Sequence, residues 1–150
     1  MSTSETTQHV EVDVPVEVAY RQWTNFEEFP NFMTGVSEVK RLGGDKLHFE
    51  VEVGPKNVSY DAEIVDQTPN ETVSWRATDG KTNIGVVSFT KIDANQTRVG
   101  LRLQYEVEGL AEHVGDTLGF VSRQAKSDLH NFKNYVEDRT KAIYAWDGRV

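Results

Sequence analysis

The chain has 150 residues, 24 acidic against 16 basic for a formal net charge of −8, and no cysteine; its length suits one domain that buries a sizeable core. The acidic excess, with no local basic patch, speaks against nucleic acid and anionic membrane surfaces as partners. Absence of cysteine excludes disulfides and thiolate metal sites and fits a reducing cytoplasm, and no stretch approaches the ~18 apolar residues of a membrane span.

Residues 1–8 are Ser/Thr-rich, carry neither the basic region nor the apolar run of a secretory signal, and read as a flexible end. From His9 to Val14, Val10, Val12 and Val14 alternate with Glu11 and Asp13, which is a strand with one buried face. Pro15 ends it and suits a first helical turn, where its missing N–H would have no partner. Val18, Ala19 and Trp23 then mark a short helix. Phe26, Phe29, Phe32 and Met33 crowd the next span, and Pro30 forbids a regular helix through it. Such density needs a core or a ligand to cover it. The segment is either a lid that is also core, which the crowding favours, or a gate, since Pro30 and Gly35 interrupt regular structure and loops of this kind carry binding.

Six strands follow, separated by turn signals. Val36 to Leu42 closes at Gly43-Gly44-Asp45, Lys46 to Val53 at Gly54-Pro55-Lys56-Asn57, and Val58 to Asp66 near Pro69-Asn70. Val73 to Thr78 ends at Asp79-Gly80, a pair suited to the positive φ angles of a hairpin. Ile84 to Ile92 turns at Asp93-Ala94-Asn95, and Arg98 to Val107 ends at Glu108-Gly109. Connections this short permit only antiparallel neighbours, and one-sided alternation leaves one face covered and one in water.

From Leu110 to about Lys141, apolar residues recur at threes and fours: Leu110, Val114, Leu118, Val121, Ala125, Leu129, Phe132 and Val136. That is one stripe on a helix of about 30 residues and about 45 Å, the only element long enough to cover the sheet. The expected architecture is an α+β helix-grip fold: a curved antiparallel sheet of about seven strands around a long C-terminal helix, with two short helical segments after strand 1. The domain is expected over 9–143, with a tail over 144–150.

Several segments, in order and spacing, carry a resemblance. They are Pro15-Val16-Glu17-Val18-Ala19-Tyr20 with Trp23, Phe29-Pro30 through Phe32-Met33-Thr34-Gly35-Val36, and Tyr60-Asp61-Ala62-Glu63-Ile64. Trp75-Arg76, Asp79-Gly80, Gly85-Val86-Val87-Ser88-Phe89, Thr97-Arg98-Val99, Leu118-Gly119, Asp128-Leu129 and Phe132-Lys133 complete them. Spanning roughly Val10 to Arg139, the chain resembles the START-like (SRPBCC) superfamily, in its polyketide cyclase/dehydrase-like branch that also includes coenzyme Q-binding proteins. The resemblance implies an apolar cavity between sheet and C-terminal helix, of the kind that takes lipids, polyketides or isoprenoids. It supplies no shared catalytic signature, so no catalytic residue is carried over.

Phe49, Tyr60, Trp75, Phe89 and Tyr105 face inward, one on each of five successive strands. They are either ordinary core or the lining of a cavity that a single helix leaves unfilled; Tyr60, Trp75 and Tyr105 also have polar tips that need partners. Gly115 and Gly119 each cost the helix about 1 kcal/mol relative to alanine, and the room they leave points to a cavity beside Val114, Leu118 and Val121. The candidate ligand contacts are therefore Trp23, Phe32, Met33, Phe49, Tyr60, Trp75, Phe89, Tyr105, Val114, Leu118 and Val121.

No catalytic motif is present. His9, His48, His113 and His130 are too scattered for a metal site. His48 and His130 read as solvated, whereas His113 lies near enough to the stripe to reach a cavity. Arg76 is expected to pair with Glu63. No cofactor is expected, and oligomeric state is left open. Three functions remain in order: binding of a small hydrophobic molecule, a cyclase, aromatase or dehydrase acting in the same cavity, and a stress-linked interaction module, which would need an exposed apolar patch. The lack of an ionisable cluster on inward faces favours binding.

Overall fold

The computed structural model describes residues 3–53, 56–78, 83–106 and 117–147, with helix side chains from Ser122 to Thr140 in the last segment. In order these form β1 (Thr3–Val12), α1 (Val16–Trp23), a 3-10 helix (Phe26–Asn31), β2 (Val36–Gly43), β3 (Lys46–Val53), β4 (Lys56–Thr68), β5 (Thr72–Ala77), β6 (Asn83–Asp93), β7 (Gln96–Glu106) and α2 (Thr117–Asp147). The strands make one seven-stranded sheet, β1-β7-β6-β5-β4-β3-β2. Every pairing is antiparallel, so β2 to β7 is a meander and β1 closes along its last strand. This is the expected helix-grip fold.

Both ends differ from expectation. At the N-terminal end β1 starts at Thr3 rather than His9 and pairs with β7 from Thr3↔Glu106 to Val12↔Thr97, ending two residues before Val14. At the other end α2 runs through Asp147, past Lys141 and into the predicted tail. The Gly54-Pro55 and Asp79-Gly80 turns, and the stretch holding Leu110, His113, Val114 and Gly115, lie outside the described residues.

Local chemistry explains the turns and the bend. Gly43 and Gly44 take φ of 114° and 57°, and Asn70 takes 64°, values open to glycine and tolerated by asparagine. Register shifts interrupt β2, β4 and β6, and such bulges bend and twist a sheet.

Two hydrogen bonds set the direction of α2. Thr6 Oγ1 and Ser122 Oγ are 2.8 Å apart, and the Asp13 N–H donates to Glu137 Oε2 at 2.7 Å. The chain from Thr6 to Asp13 is extended and covers about 23 Å, while Ser122 to Glu137 covers about 22 Å of helix. Helix and strand therefore run side by side in the same sense. Across the sheet, Gln124 Nε2 donates to Thr34 Oγ1 at 3.0 Å, just before β2. The helix thus grips both edges of the sheet.

Ala125, Leu129, Phe132 and Val136 bury one face of α2. Phe132 meets Trp23 edge-on at 5.1 Å and Phe32 at 5.2 Å, and Phe29 meets Phe26, Trp23 and Phe32 at 5.5–5.7 Å. Such pairs add about 0.5–1.5 kcal/mol each beyond the area they bury. The segment is tied down as well as packed. Asn31 Nδ2 donates to Tyr135 Oη at 3.0 Å, and Glu28 Oε1 accepts from Tyr135 Oη at 2.7 Å and Arg139 Nη1 at 2.5 Å. In this conformation the aromatic segment is a lid built into the core.

Candidate functional site

The concave face of the sheet carries several of the candidate residues. Register places Ile64, Trp75, Gly85, Leu103 and Thr6 in one row across β4, β5, β6, β7 and β1. The Trp75 ring lies directly on Gly85: a Cβ there would fall 2.3 Å from Trp75 Cζ2. Glycine is what lets the indole lie against the backbone of β6. On the adjoining strands, Phe49 and Tyr60 are cross-strand partners and stack at 5.1 Å with a 7° interplanar angle. Phe49 and Trp75 are buried and Tyr60 half-buried, so the aromatic floor has two parts, the Phe49–Tyr60 stack and, opposite Ile64 and four residues along β4 from Tyr60, the Trp75 ring on Gly85.

Polar side chains stand at the far end of the Trp75 row, three strands away on β1. Thr6 is buried, shares its hydroxyl with Ser122 of α2, and accepts from Gln8 Nε2 at 3.3 Å. These residues face inward because they share the parity of Val10 and Val12.

The candidate residues thus divide. Phe49 and Tyr60 come together on the floor, where Phe49 also meets Phe29 of the lid at 6.3 Å, and Trp75 lies further along the sheet on Gly85. Trp23, Phe32 and Met33 lie in the lid cluster, where Trp23 is wholly buried among Phe29, Phe32 and Phe132. Phe89 packs edge-on against Tyr20 of α1 at 5.5 Å. Tyr105 is paired through its backbone with Asn83 and Leu118 and Val121 lie on α2, but their side chains, like all of Val114, fall outside the described residues.

Asp128 is the functional candidate that sequence reasoning missed. It is buried on α2, accepts from Gln124 Nε2 at 2.9 Å and is hydrogen-bonded by the Thr34 backbone N–H. Burial pushes its pKa up to about 6 against those two bonds, which favour the charged form. The signal was available: Asp128 is three residues from Ala125 and four from Phe132, on the buried face. Two other interior atoms, Tyr20 Oη and Trp23 Nε1, have no hydrogen-bond partner among the described residues.

The outer face is acidic and paired. His48, expected to be solvated, holds Asp61 Oδ1 at Nδ1 (2.7 Å) and Glu50 Oε2 at Nε2 (2.5 Å). The Asp61 bond first, then the Glu50 bond, raises its pKa. Glu50 is in turn lowered, chiefly by the Ser59 hydroxyl. Arg76 reaches Glu63 at 3.4 Å, as expected. Among the described residues, no group of three or more His, Asp or Glu side chains is placed to hold a metal, and no helix is long and apolar enough to cross a membrane.

The sequence model of a family described as polyketide cyclase / dehydrase and lipid transport matches residues 12–133. An uncharacterized 17.2 kDa protein from the melC2-rnhH intergenic region of Streptomyces lincolnensis is 40% identical over 148 residues, covering 98% of this chain and 99% of that one. Among solved structures, the Zhui aromatase/cyclase from Streptomyces sp. R1128 superposes with a TM-score of 0.79 at 15% identity, over 93% of this chain and 96% of that one. A START superfamily protein from Mycobacterium smegmatis gives 0.66 at 15% identity, over 84% and 97%. At such identities the two structures bear on fold alone.

Proposed function

The chain belongs to the polyketide cyclase/dehydrase and lipid transport family, and from that premise we propose that it binds a small hydrophobic molecule, of polyketide, isoprenoid or lipid type, between the sheet and α2. The observation that carries this reading is the aromatic floor, the stacked Phe49 and Tyr60 rings and the Trp75 ring seated on Gly85. Stacked rings offer a flat apolar ligand a matching surface, and burial returns about 25 cal/mol per Å² of apolar area. On the β1 side of the same face, Gln8, Thr6 and Ser122 offer the few polar groups that orient a ligand in such sites. An interaction module is less well supported, because the large apolar side chains exposed among the described residues, Leu42, Val65 and Ile92, stand on three non-neighbouring strands.

Native mass spectrometry of the protein purified from its source tests the proposal. A bound hydrophobic molecule should travel with the wild type and be depleted in a folded Trp75→Leu variant. Equal loading of both would refute the assignment to the floor.

Asp128 favours a second reading, an enzyme of cyclase or dehydrase type. It is the one buried carboxylate among the described residues, and a pKa of about 6 suits proton transfer near neutrality. On this reading Asp128→Asn keeps ligand binding and loses turnover; retained turnover rejects it.

A further inference from the structure

Thr34 and Gly35 lie where the lid, the sheet and α2 meet. On one side the Glu52 N–H of β3 donates to the Gly35 carbonyl at 2.7 Å. On the other, Gln124 Nε2 of α2 donates to Thr34 Oγ1 at 3.0 Å and to Asp128 Oδ1 at 2.9 Å, and the Thr34 backbone N–H completes the ring on the Asp128 carboxyl. A Cβ at Gly35 would stand 3.5 Å from the Glu52 carbonyl oxygen and 3.8 Å from Gln124 Cδ, so the chain threads between strand and helix in van der Waals contact. Through this ring α2 holds the β2 edge of the sheet.

The lid meets α2 again about 10 Å further along the helix, where Glu28 and Asn31 bind Tyr135 and Arg139. The two contacts answer protons in opposite ways. The Tyr135 hydroxyl, foremost, holds Glu28 below the usual carboxylate range, so its ionised form is the one bound. Asp128 is 9% exposed, and burial pushes it up to about 6 against the bonds from Gln124 and Thr34. Among the described residues no charged side chain contributes to that shift. Lys126 and His130 on α2 and Glu52 on β3 are exposed, Glu28 on the lid is held by Tyr135 and Arg139, and Glu5 and Glu11 on β1 lie by Arg102 and Arg98. Ionised Asp128 is therefore a buried charge with no countercharge, which is costly until water reaches it. Parting α2 from Thr34 admits that water.

We propose that Gln124, Asp128 and Thr34 form a proton-operated latch between α2 and the β2 edge of the sheet, shut while Asp128 carries its proton and released more often once the proton leaves. The Glu28 contact and the bonds to β1 keep the rest of α2 in place. A closed state that holds a proton more tightly than the open one opens as pH rises. With the carboxyl returned on opening to its ordinary 3.8, the open-to-closed ratio rises by up to about sixtyfold between pH 4 and pH 8. The latch governs access to the interior from the β2 edge, and it needs neither a bound molecule nor turnover, so it goes beyond both readings above.

Native-state hydrogen exchange by NMR tests this on wild type and Asp128→Asn, each amide's protection being taken against its intrinsic rate at the same pH. In wild type the Thr34 amide should be less protected than those of Val87 and Val99, wholly buried on the central strands β6 and β7, whose exchange needs global unfolding. Its protection should fall by up to about sixtyfold from pH 4 to pH 8. In Asp128→Asn, which keeps an acceptor for the Thr34 N–H, protection should stay level across the range. Thr34 protection equal to that of Val87 and Val99, or independent of pH in wild type, would overturn the latch, as would the same pH dependence in the variant. Should asparagine disturb the fold, the wild-type profile alone decides.

Discussion

Replacing Asp128 by asparagine removes a charge from the buried face of α2 while keeping the shape and an acceptor for the Thr34 N–H. The carboxyl moves from 3.8 to about 6 on folding, a change worth about 3 kcal/mol at 1.36 kcal/mol per unit. Between about pH 4 and pH 6 the folded chain holds a proton that the unfolded chain has released. Wild-type stability therefore falls as pH rises through this window, and the full cost persists above it. Asp128→Asn should match wild type at pH 4 and exceed it at pH 8 by up to about 3 kcal/mol, roughly 6–12 °C in melting temperature for a domain of this size. Urea unfolding of both proteins from pH 4 to pH 8 measures this. Their difference cancels groups common to both, such as His48, Glu28 and Glu50. A difference independent of pH, or an asparagine variant less stable at pH 8, would refute the reasoning.

Gly85→Ala puts a methyl group 2.3 Å from the Trp75 ring, so the indole must leave its seat. A loss of about 1–3 kcal/mol with a red-shifted tryptophan emission is expected, and unchanged emission would show that the ring had another resting place. Tyr135→Phe removes the strongest of the influences that hold Glu28 below the usual carboxylate range. It should cost about 1 kcal/mol at neutral pH, read by urea unfolding. The Glu28 contribution is present above its unfolded pKa and lost as pH falls through the folded one, so wild type and variant should converge in acid. For His48, imidazole NMR should show titration above the ordinary histidine value, with Asp61→Asn lowering it. Its stabilising contribution is present below the free imidazole pKa and lost as pH rises through the folded value. Titration at or below the ordinary value would show that the Asp61 and Glu50 contacts do not persist in solution.

Much of the fold was legible because strand parity and turn chemistry agree. Phe49, Tyr60 and Trp75 fall on one face by alternation alone, and Gly43-Gly44 and Asn70 mark turns that need unusual φ angles. The first half of β1 was not legible, because its inward residues Thr6 and Gln8 are polar. They face Ser122 rather than a hydrocarbon core, and hydrophobic alternation cannot report that. The packing of Trp23, Phe32 and Met33 into a lid cluster also escaped, since it depends on how α1 and the 3-10 helix dock against Phe132. Asp128 was passed over for a different reason: a charged residue reads as surface until its place on the buried stripe is checked against Ala125 and Phe132.

Intermolecular NOEs between naphthalene and the ¹³C-labelled protein test the binding site most directly. Contacts to the side chains of Tyr60, Trp75 and Leu103 are predicted, from a molecule lying on the aromatic floor. Contacts confined to the exposed Leu42, Val65 and Ile92, or none at saturating naphthalene, would contradict a hydrophobic ligand held between the sheet and α2.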